Sequence, residues 1–156
     1  MIIEIQGDLL KTDCKLIAHG VNCQGVMGSG VAEALANKFK GLKTAYLQHC
    51  DLVFGGGGSA SDMLGMNYII DIDGKLISNC FIQQNYGRDG QVYLNYDALH
   101  HCVSALAIEM NEMGLKELAI PKIGCGLAGG NWERVKKIFE VYFNETSDLT
   151  LKVYSL

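Results

Sequence analysis

The sequence predicts an α/β fold, a three-layer α/β/α sandwich around a mixed, mostly parallel central sheet. Short apolar strand patterns alternate with stretches of helical periodicity, which implies crossover connections and a sheet covered on both faces. Leu16 to Val21 is almost continuously apolar, as an inner strand buried on two faces must be. Asp73-Gly74 between two apolar runs reads as a type I′ hairpin turn, so one strand pair is antiparallel. At 156 residues the chain is read as a single domain, 1–156.

The elements follow in order. Ile2 to Gln6 has strand composition and stops at Gly7-Asp8-Leu9. The inner strand runs through Asn22 into Met27-Gly28-Ser29-Gly30. Val31, Ala34, Leu35 and Phe39 then recur at helical spacing, which predicts a helix over 31–39, and 43–52 is a second helical candidate. The four glycines at 55–58 resist regular structure because each loses much backbone freedom on ordering, so 55–61 reads as a loop. The hairpin pairs 68–72 with 75–82, and Asn85 to Gly90 is a polar loop able to cover a site. Leu99, Cys102, Val103, Leu106 and Met110 mark a helix over 96–113 with Gly114 as its C-cap. Residues 118–120 form a strand, 131–143 a helix capped by Asn131, and 149–154 a last strand of period two. Trp132 is expected to anchor the core, and His100 and His101 to be structural or at the surface.

The formal net charge of −4 and the absence of any Lys/Arg run exclude broad nucleic-acid or anionic-membrane binding, while leaving room for one small bound anion. No apolar run approaches the ~20 residues that span a bilayer. The six cysteines are scattered, without a C-x-x-C pair or a basic-then-apolar leader, and read as reduced thiols of a cytoplasmic protein. His49-Cys50 and His101-Cys102 do not assemble a tetrahedral site by themselves, so neither metal nor cofactor is expected.

Two glycine loops carry the chemistry. Gly124-Cys-Gly-Leu-Ala-Gly-Gly130 stands between a strand and a helix start, the arrangement in which backbone N–H groups and a helix dipole converge on a phosphate. Met27 to Gly30 repeats that arrangement, and two such loops at strand carboxyl ends can clamp one diphosphate. Residue 33 is Glu, so the dinucleotide fingerprint G-x-G-x-x-G is not met. Asp8 is either a turn residue or a carboxylate accepting from an exocyclic amine such as that of adenine. Asn22 is either a strand-end cap or a donor–acceptor pair suited to a ribose diol. His19 reads as a satisfied core histidine, but its place three residues before Asn22 also makes it a candidate proton donor. Cys125 either gains a lowered thiol pKa near the helix start or packs beneath the loop. A branched residue at 126 is expected to block backbone approach and to resist a positive φ.

Gly7-Asp8-Leu9, His19-Gly-Val-Asn22-Cys-Gln-Gly25, Met27-Gly-Ser-Gly-Val-Ala32, Pro121-Lys-Ile-Gly-Cys-Gly-Leu127 and the closing Val153-Tyr-Ser-Leu156 resemble, in that order, the macrodomain family. The likeness covers essentially the whole chain. It is nearest to the small single-domain branch that contains ADP-ribose 1″-phosphate phosphatases and ADP-ribosyl-glutamate hydrolases, and compact bacteriophage members are similar. The resemblance implies a pocket for ADP-ribose or ADP-ribose 1″-phosphate, with ADP-ribosylated macromolecules as further partners. Asp8 and Leu9 would meet the adenine, Leu156 would lie near the adenosine, and Asn22 would orient the distal ribose. Gly28, Ser29, Gly30 and Val31 would wrap the diphosphate with Ile123, Gly124, Cys125, Gly126 and Leu127. Val21, Cys23, Met27 and Ala128 complete the implied ligand-binding set.

Departures from the family pattern decide the subtype. The glutamate-deglycosylating relatives use a lysine after the hairpin strand and an aspartate after Gly-Cys-Gly-Leu. Here those regions read Gln83-Gln84-Asn85 and Ala128, and an amide with a methyl group cannot run a route built on an amine and a carboxylate. The phosphatase relatives carry a histidine before the ribose-contacting asparagine, which His19 matches. The resemblance therefore implies a phosphoric monoester hydrolase, an ADP-ribose 1″-phosphate phosphatase, with His19 and Asn22 as its catalytic residues. The alternatives are a non-catalytic ADP-ribose-binding module and an ADP-ribosyl hydrolase acting on modified protein, nucleic acid or O-acetylated ADP-ribose.

Overall fold

Six strands form one sheet: β1 Ile2–Gln6, β2 Leu16–Asn22, β3 Asn67–Ile72, β4 Lys75–Gln83, β5 Glu117–Ile120 and β6 Thr150–Ser155. The computed structural model describes all of Met1–Leu156 and orders the strands β1-β6-β5-β2-β4-β3. Only the β3–β4 pair is antiparallel. The reason is the hairpin turn, where Asp73 and Gly74 adopt φ of 51° and 88°, the two positive values of a type I′ turn.

Five helices cover the sheet: α1 Gly30–Lys38, α2 Leu42–Gly55, α3 Ala60–Met63, α4 Tyr96–Met113 and α5 Trp132–Glu140. Successive side chains of a strand point to opposite faces, so β2 feeds two cores. Leu16 and Ala18 pack with Leu99, Val103 and Leu106 of α4 and with Val135 and Phe139 of α5. Ile17 and Val21 pack with Leu35 of α1, Leu42 and Tyr46 of α2 and Met63 of α3. Burying each such large side chain stabilises the fold by roughly 1.5–3 kcal/mol. The result is the three-layer sandwich, with its apolar inner strand explained by cover on both sides.

Boundaries differ from expectation where side-chain capping decides them. A 3-10 turn, Leu9–Lys11, follows β1 because Asp8 Oδ1 accepts from Leu10 N at 2.9 Å. Helix α2 runs on to Gly55, and α3 begins at Ala60, within the last two residues of the expected glycine-rich loop. A capping box explains α3: Ser59 and Asp62 satisfy each other's backbone donors. Helix α5 ends at Glu140 rather than at 143, where the Asn144 side-chain amide takes up the carbonyls of Glu140 and Val141. Trp132 is half-buried at the edge of the core and donates to Glu4. His100 and His101 are exposed. All six cysteines are free, and no helix is long and apolar enough to cross a membrane.

The connection from β2 to β4 covers one face and α4, between β4 and β5, covers the other, so the winding reverses between β2 and β5. Ligand crevices form at such switch points, outside the strand carboxyl ends.

Candidate functional site

A cleft of about 1210 Å³ opens at the carboxyl ends of the parallel strands. It crosses the sheet from β1 through β6, β5 and β2 to β4. At ~4.8 Å per strand interval that is roughly 19 Å, enough for an extended dinucleotide-sized ligand. Residues 7–10 and 154–156 close the β1 and β6 end, two glycine loops flank the middle, and Gln83 with residues 86–88 closes the β4 end.

The glycine loops are lined with free donors. The amides of Met27, Gly28, Ser29, Gly30, Val31 and Ala32 donate to no protein acceptor, and neither do those of Gly124, Gly126, Leu127 and Ala128. All ten residues line the cleft. The Ser29 side chain makes no capping bond, so the positive end of the α1 dipole is also open to a ligand. Opposed rows of unpaired N–H groups make an anion site that needs no basic side chain.

The second loop is shaped by its own backbone. Cys125 N bonds Lys122 O at 3.1 Å, Gly129 N bonds Gly126 O at 3.0 Å and Gly130 N bonds Gly124 O at 2.8 Å. Gly124 and Gly129 have φ of 74°, which favours glycine, and a Cβ at Gly130 would lie 2.6 Å from Gly124 O. Gly126 departs from expectation: its φ is not positive, and a Cβ there meets nothing within 4 Å. Its smallness therefore matters to the cleft rather than to the loop. Ala128 O accepts from Tyr93 N and Leu94 N at 2.7 and 3.1 Å, which ties this loop to the chain leading into α4.

Asn22, at the end of β2, holds its own loop together. Its Nδ2 donates to Val26 O at 2.7 Å, and its Oδ1 accepts from Gln24 N at 2.9 Å and from the Tyr46 hydroxyl at 3.0 Å. The same hydroxyl donates to Asn22 O at 2.7 Å, so Tyr46 on α2 braces this corner. The Tyr46 phenol is pushed well above its ordinary pKa, chiefly by burial, and stays protonated. Asn22 lines the cleft with one amide hydrogen uncommitted.

His19 lies in the cleft floor and is 1% exposed. Its Nε2 sits 2.7 Å from Asn79 Oδ1, and Asn79 Nδ2 donates to Tyr68 O, so Nε2 carries the ring proton. Burial lowers its pKa to about 4, with the Asn79 bond opposing. The ring is neutral near pH 7 and its one proton is engaged. This is the core histidine with its one proton satisfied, and not the candidate proton donor. Of three buried side-chain polar atoms without a partner, His19 Nδ1 alone belongs to a cleft residue. This buried acceptor is the one polar side-chain atom of the cleft floor that the fold leaves unpaired.

Cys125 is not activated, since burial raises its thiol pKa against the pull of Lys122, and its Sγ donates to Ile123 O at 3.4 Å. Asp8 keeps Oδ2 open while Oδ1 caps the 3-10 turn. The structure brings together on one cleft Asp8, Leu9, His19, Val21, Asn22, Met27 to Val31, Ile123 to Ala128 and Leu156. Cys23 is the exception. It is fully buried, packs in the α1–α2 core, and its N–H goes to Gln83 O and Gln84 O. Sequence reasoning missed Gln83, Tyr86, Arg88, Lys122 and Tyr154 on the cleft wall. The polar loop 85–90 was the one signal for two of them.

The Macro domain family model matches residues 18–139. A DNA ADP-ribosyl glycohydrolase of Mycobacterium tuberculosis is 27% identical over 99% of this chain, which spans only 42% of that relative's length. An ADP-ribose 1″-phosphate phosphatase of Scheffersomyces stipitis is 26% identical, with 99% of both chains covered. An uncharacterized 17.5 kDa protein of Enterobacteria phage T4 is 30% identical over 91% of this chain and 90% of its own. Among solved structures, the macrodomain of Mycobacterium tuberculosis DarG superposes with a TM-score of 0.82 at 25% identity, covering 100% of this chain and 98% of that one.

Proposed function

Because this chain belongs to the macrodomain family, we propose that its cleft binds ADP-ribose and hydrolyses ADP-ribose 1″-phosphate to ADP-ribose and inorganic phosphate. The observation that carries the reading is the pair of opposed amide rows, residues 27–32 and 124–128, across a cleft long enough for the whole nucleotide. The diphosphate lies between the rows. The adenine amine donates to Asp8 Oδ2, and the distal ribose lies towards Asn22 and β4.

Hydrolysis then rests on placement and on backbone dipoles. Fixed N–H donors stabilise charge that develops on the phosphoryl oxygens, and they need no reorganisation as the reaction proceeds. Water supplies the oxygen that the released phosphate gains. His19 contributes by orientation, its bare Nδ1 accepting from a ribose hydroxyl, and turnover is slow because no side chain beside the reacting end moves a proton readily. The hydrolase names of the relatives support this class of chemistry on ADP-ribose derivatives.

One observation favours a second reading, a binding module without turnover. The thiol of Cys125 is protonated, His19 is neutral with its proton committed, and position 128 carries a methyl group, so the cleft pairs no nucleophile with a base. Phosphate release from ADP-ribose 1″-phosphate, measured beside a titration with ADP-ribose, separates the two. Release above the rate of a Gly126→Val control supports hydrolysis, binding without release selects the module, and the absence of both removes the ADP-ribose reading.

A further inference from the structure

The cleft is lined by only two permanent cations, Arg88 and Lys122, and by one side-chain carboxylate, Asp8. Neither cation has a carboxylate within 4.0 Å, although the protein carries a net charge of −4. Their places differ. Lys122 follows β5 at the root of the second amide row, in the middle of the cleft, whereas Arg88 stands on the loop after β4, at the end opposite Asp8 and Leu156.

That loop is held rather than loose. Gln83 Nε2 donates to Asn85 O at 2.8 Å, and Asp89 accepts from the Tyr93 hydroxyl at 2.8 Å and from Gln91 N at 3.2 Å. A Cβ at Gly87 would collide with the Tyr93 hydroxyl, so glycine lets the chain pass against that ring. Tyr93 N is in turn bonded to Ala128 O, which couples the loop to the second amide row. Both of these bonds fall on Asp89 Oδ1, which turns that carboxylate towards Tyr93 and Gln91, and Arg88 forms no ion pair with it.

We propose that Arg88 is the specificity-determining residue for an anionic substituent on the distal ribose, a phosphate monoester in preference to a free hydroxyl. The inference rests on the ADP-ribose reading and deepens it. The diphosphate is already served by ten amides, so a cation beyond them, at the β4 end, matches a second and separate charge. A guanidinium presents a planar fork that meets two phosphate oxygens at once. Lys122, beside the diphosphate, acts on every ADP-ribose derivative alike.

The test compares ADP-ribose with ADP-ribose 1″-phosphate, each displacing a fluorescent ADP-ribose analogue by rapid mixing, before turnover. The parent protein is expected to bind the phosphorylated ligand about ten- to a hundredfold more tightly, as suits a charge-assisted bidentate contact. Arg88→Gln should erase that preference while changing ADP-ribose affinity less than twofold. Arg88→Lys should restore part of it, and Lys122→Gln should weaken both ligands by the same factor. Because Arg88 is exposed, the preference should shrink between 50 and 500 mM salt, concentrations set by the experimenter to bracket a Debye length of roughly 10 Å. A preference that survives in Arg88→Gln, or a parent that binds both ligands equally, overturns the proposal. Failure of the parent to bind either ligand overturns the ADP-ribose reading instead.

Discussion

Gly126→Val separates a steric role in the cleft from a role in folding. A Cβ at 126 meets no protein atom within 4 Å, and the residue's φ lies outside the left-handed region, so valine fits the loop without strain. Its stability should change by no more than ~0.5 kcal/mol, as at other unstrained surface positions. For a chain of this size that is a shift in melting temperature of about 2 °C or less. The branched side chain instead fills the cleft in front of the free amides of Gly126 and Leu127. Each hydrogen bond from a backbone N–H to a charged phosphate oxygen contributes ~1.5–3 kcal/mol, so losing two costs ~3–6 kcal/mol, or about 10²–10⁴-fold in affinity. Gly124→Val is the contrast: φ is 74° and a Cβ would stand 2.9 Å from the Leu94 methyls, so that variant should melt earlier. Calorimetric titration with ADP-ribose and a melting curve on one preparation give both readouts. Unchanged affinity in a folded Gly126→Val protein would refute the assignment of this loop to the diphosphate.

Asp8→Asn keeps an acceptor for Leu10 N while removing the carboxylate charge, so it should weaken ADP-ribose binding by ~1–3 kcal/mol with little change in melting, as read by titration. Tyr46→Phe removes a buried donor from Asn22 O and Oδ1. It should cost ~1–2 kcal/mol of stability in denaturant unfolding and weaken ADP-ribose binding several-fold through the loosened 23–26 turn. His19 has a folded pKa of about 4 against 6.5 unfolded, so the unfolded chain takes up its proton first. Its contribution, at most about 3 kcal/mol, is therefore complete above pH 6.5 and lost as pH falls from 6.5 towards 4. Unfolding curves across that window should lose this slope in His19→Gln, whose amide can donate to Asn79 without titrating.

How much of this was legible in the sequence depended on where the signal was periodic. The double cover of β2 was readable because Leu16, Ile17 and Ala18 are all apolar, and the hairpin because Asp73-Gly74 is chemically suited to two positive φ angles. Helix α3 was not readable from hydrophobicity, having only four residues, although Ser59 and Asp62 carry the S-x-x-D spacing that caps it. The glycine loops located the cleft. Cys23 was misplaced because adjacency to Asn22 says nothing about direction: strand alternation puts it on the face of Ile17 and Val21, in the α1–α2 core. Arg88 had only the polar loop 85–90 as its signal, and Lys122 and Tyr154 reach the cleft because the carboxyl ends of β5 and β6 lie side by side in the sheet, a tertiary fact with no local pattern. The tautomer of His19 was likewise hidden, since it is set by Asn79, its register partner on β4.

A crystal structure of the protein with ADP-ribose tests the central claim most directly. The account predicts the diphosphate between residues 27–32 and 124–128, the adenine amine on Asp8 Oδ2, and the distal ribose beside Asn22 with a hydroxyl on His19 Nδ1. Adenine at the Arg88 end, or a ligand bound outside this cleft, would contradict it.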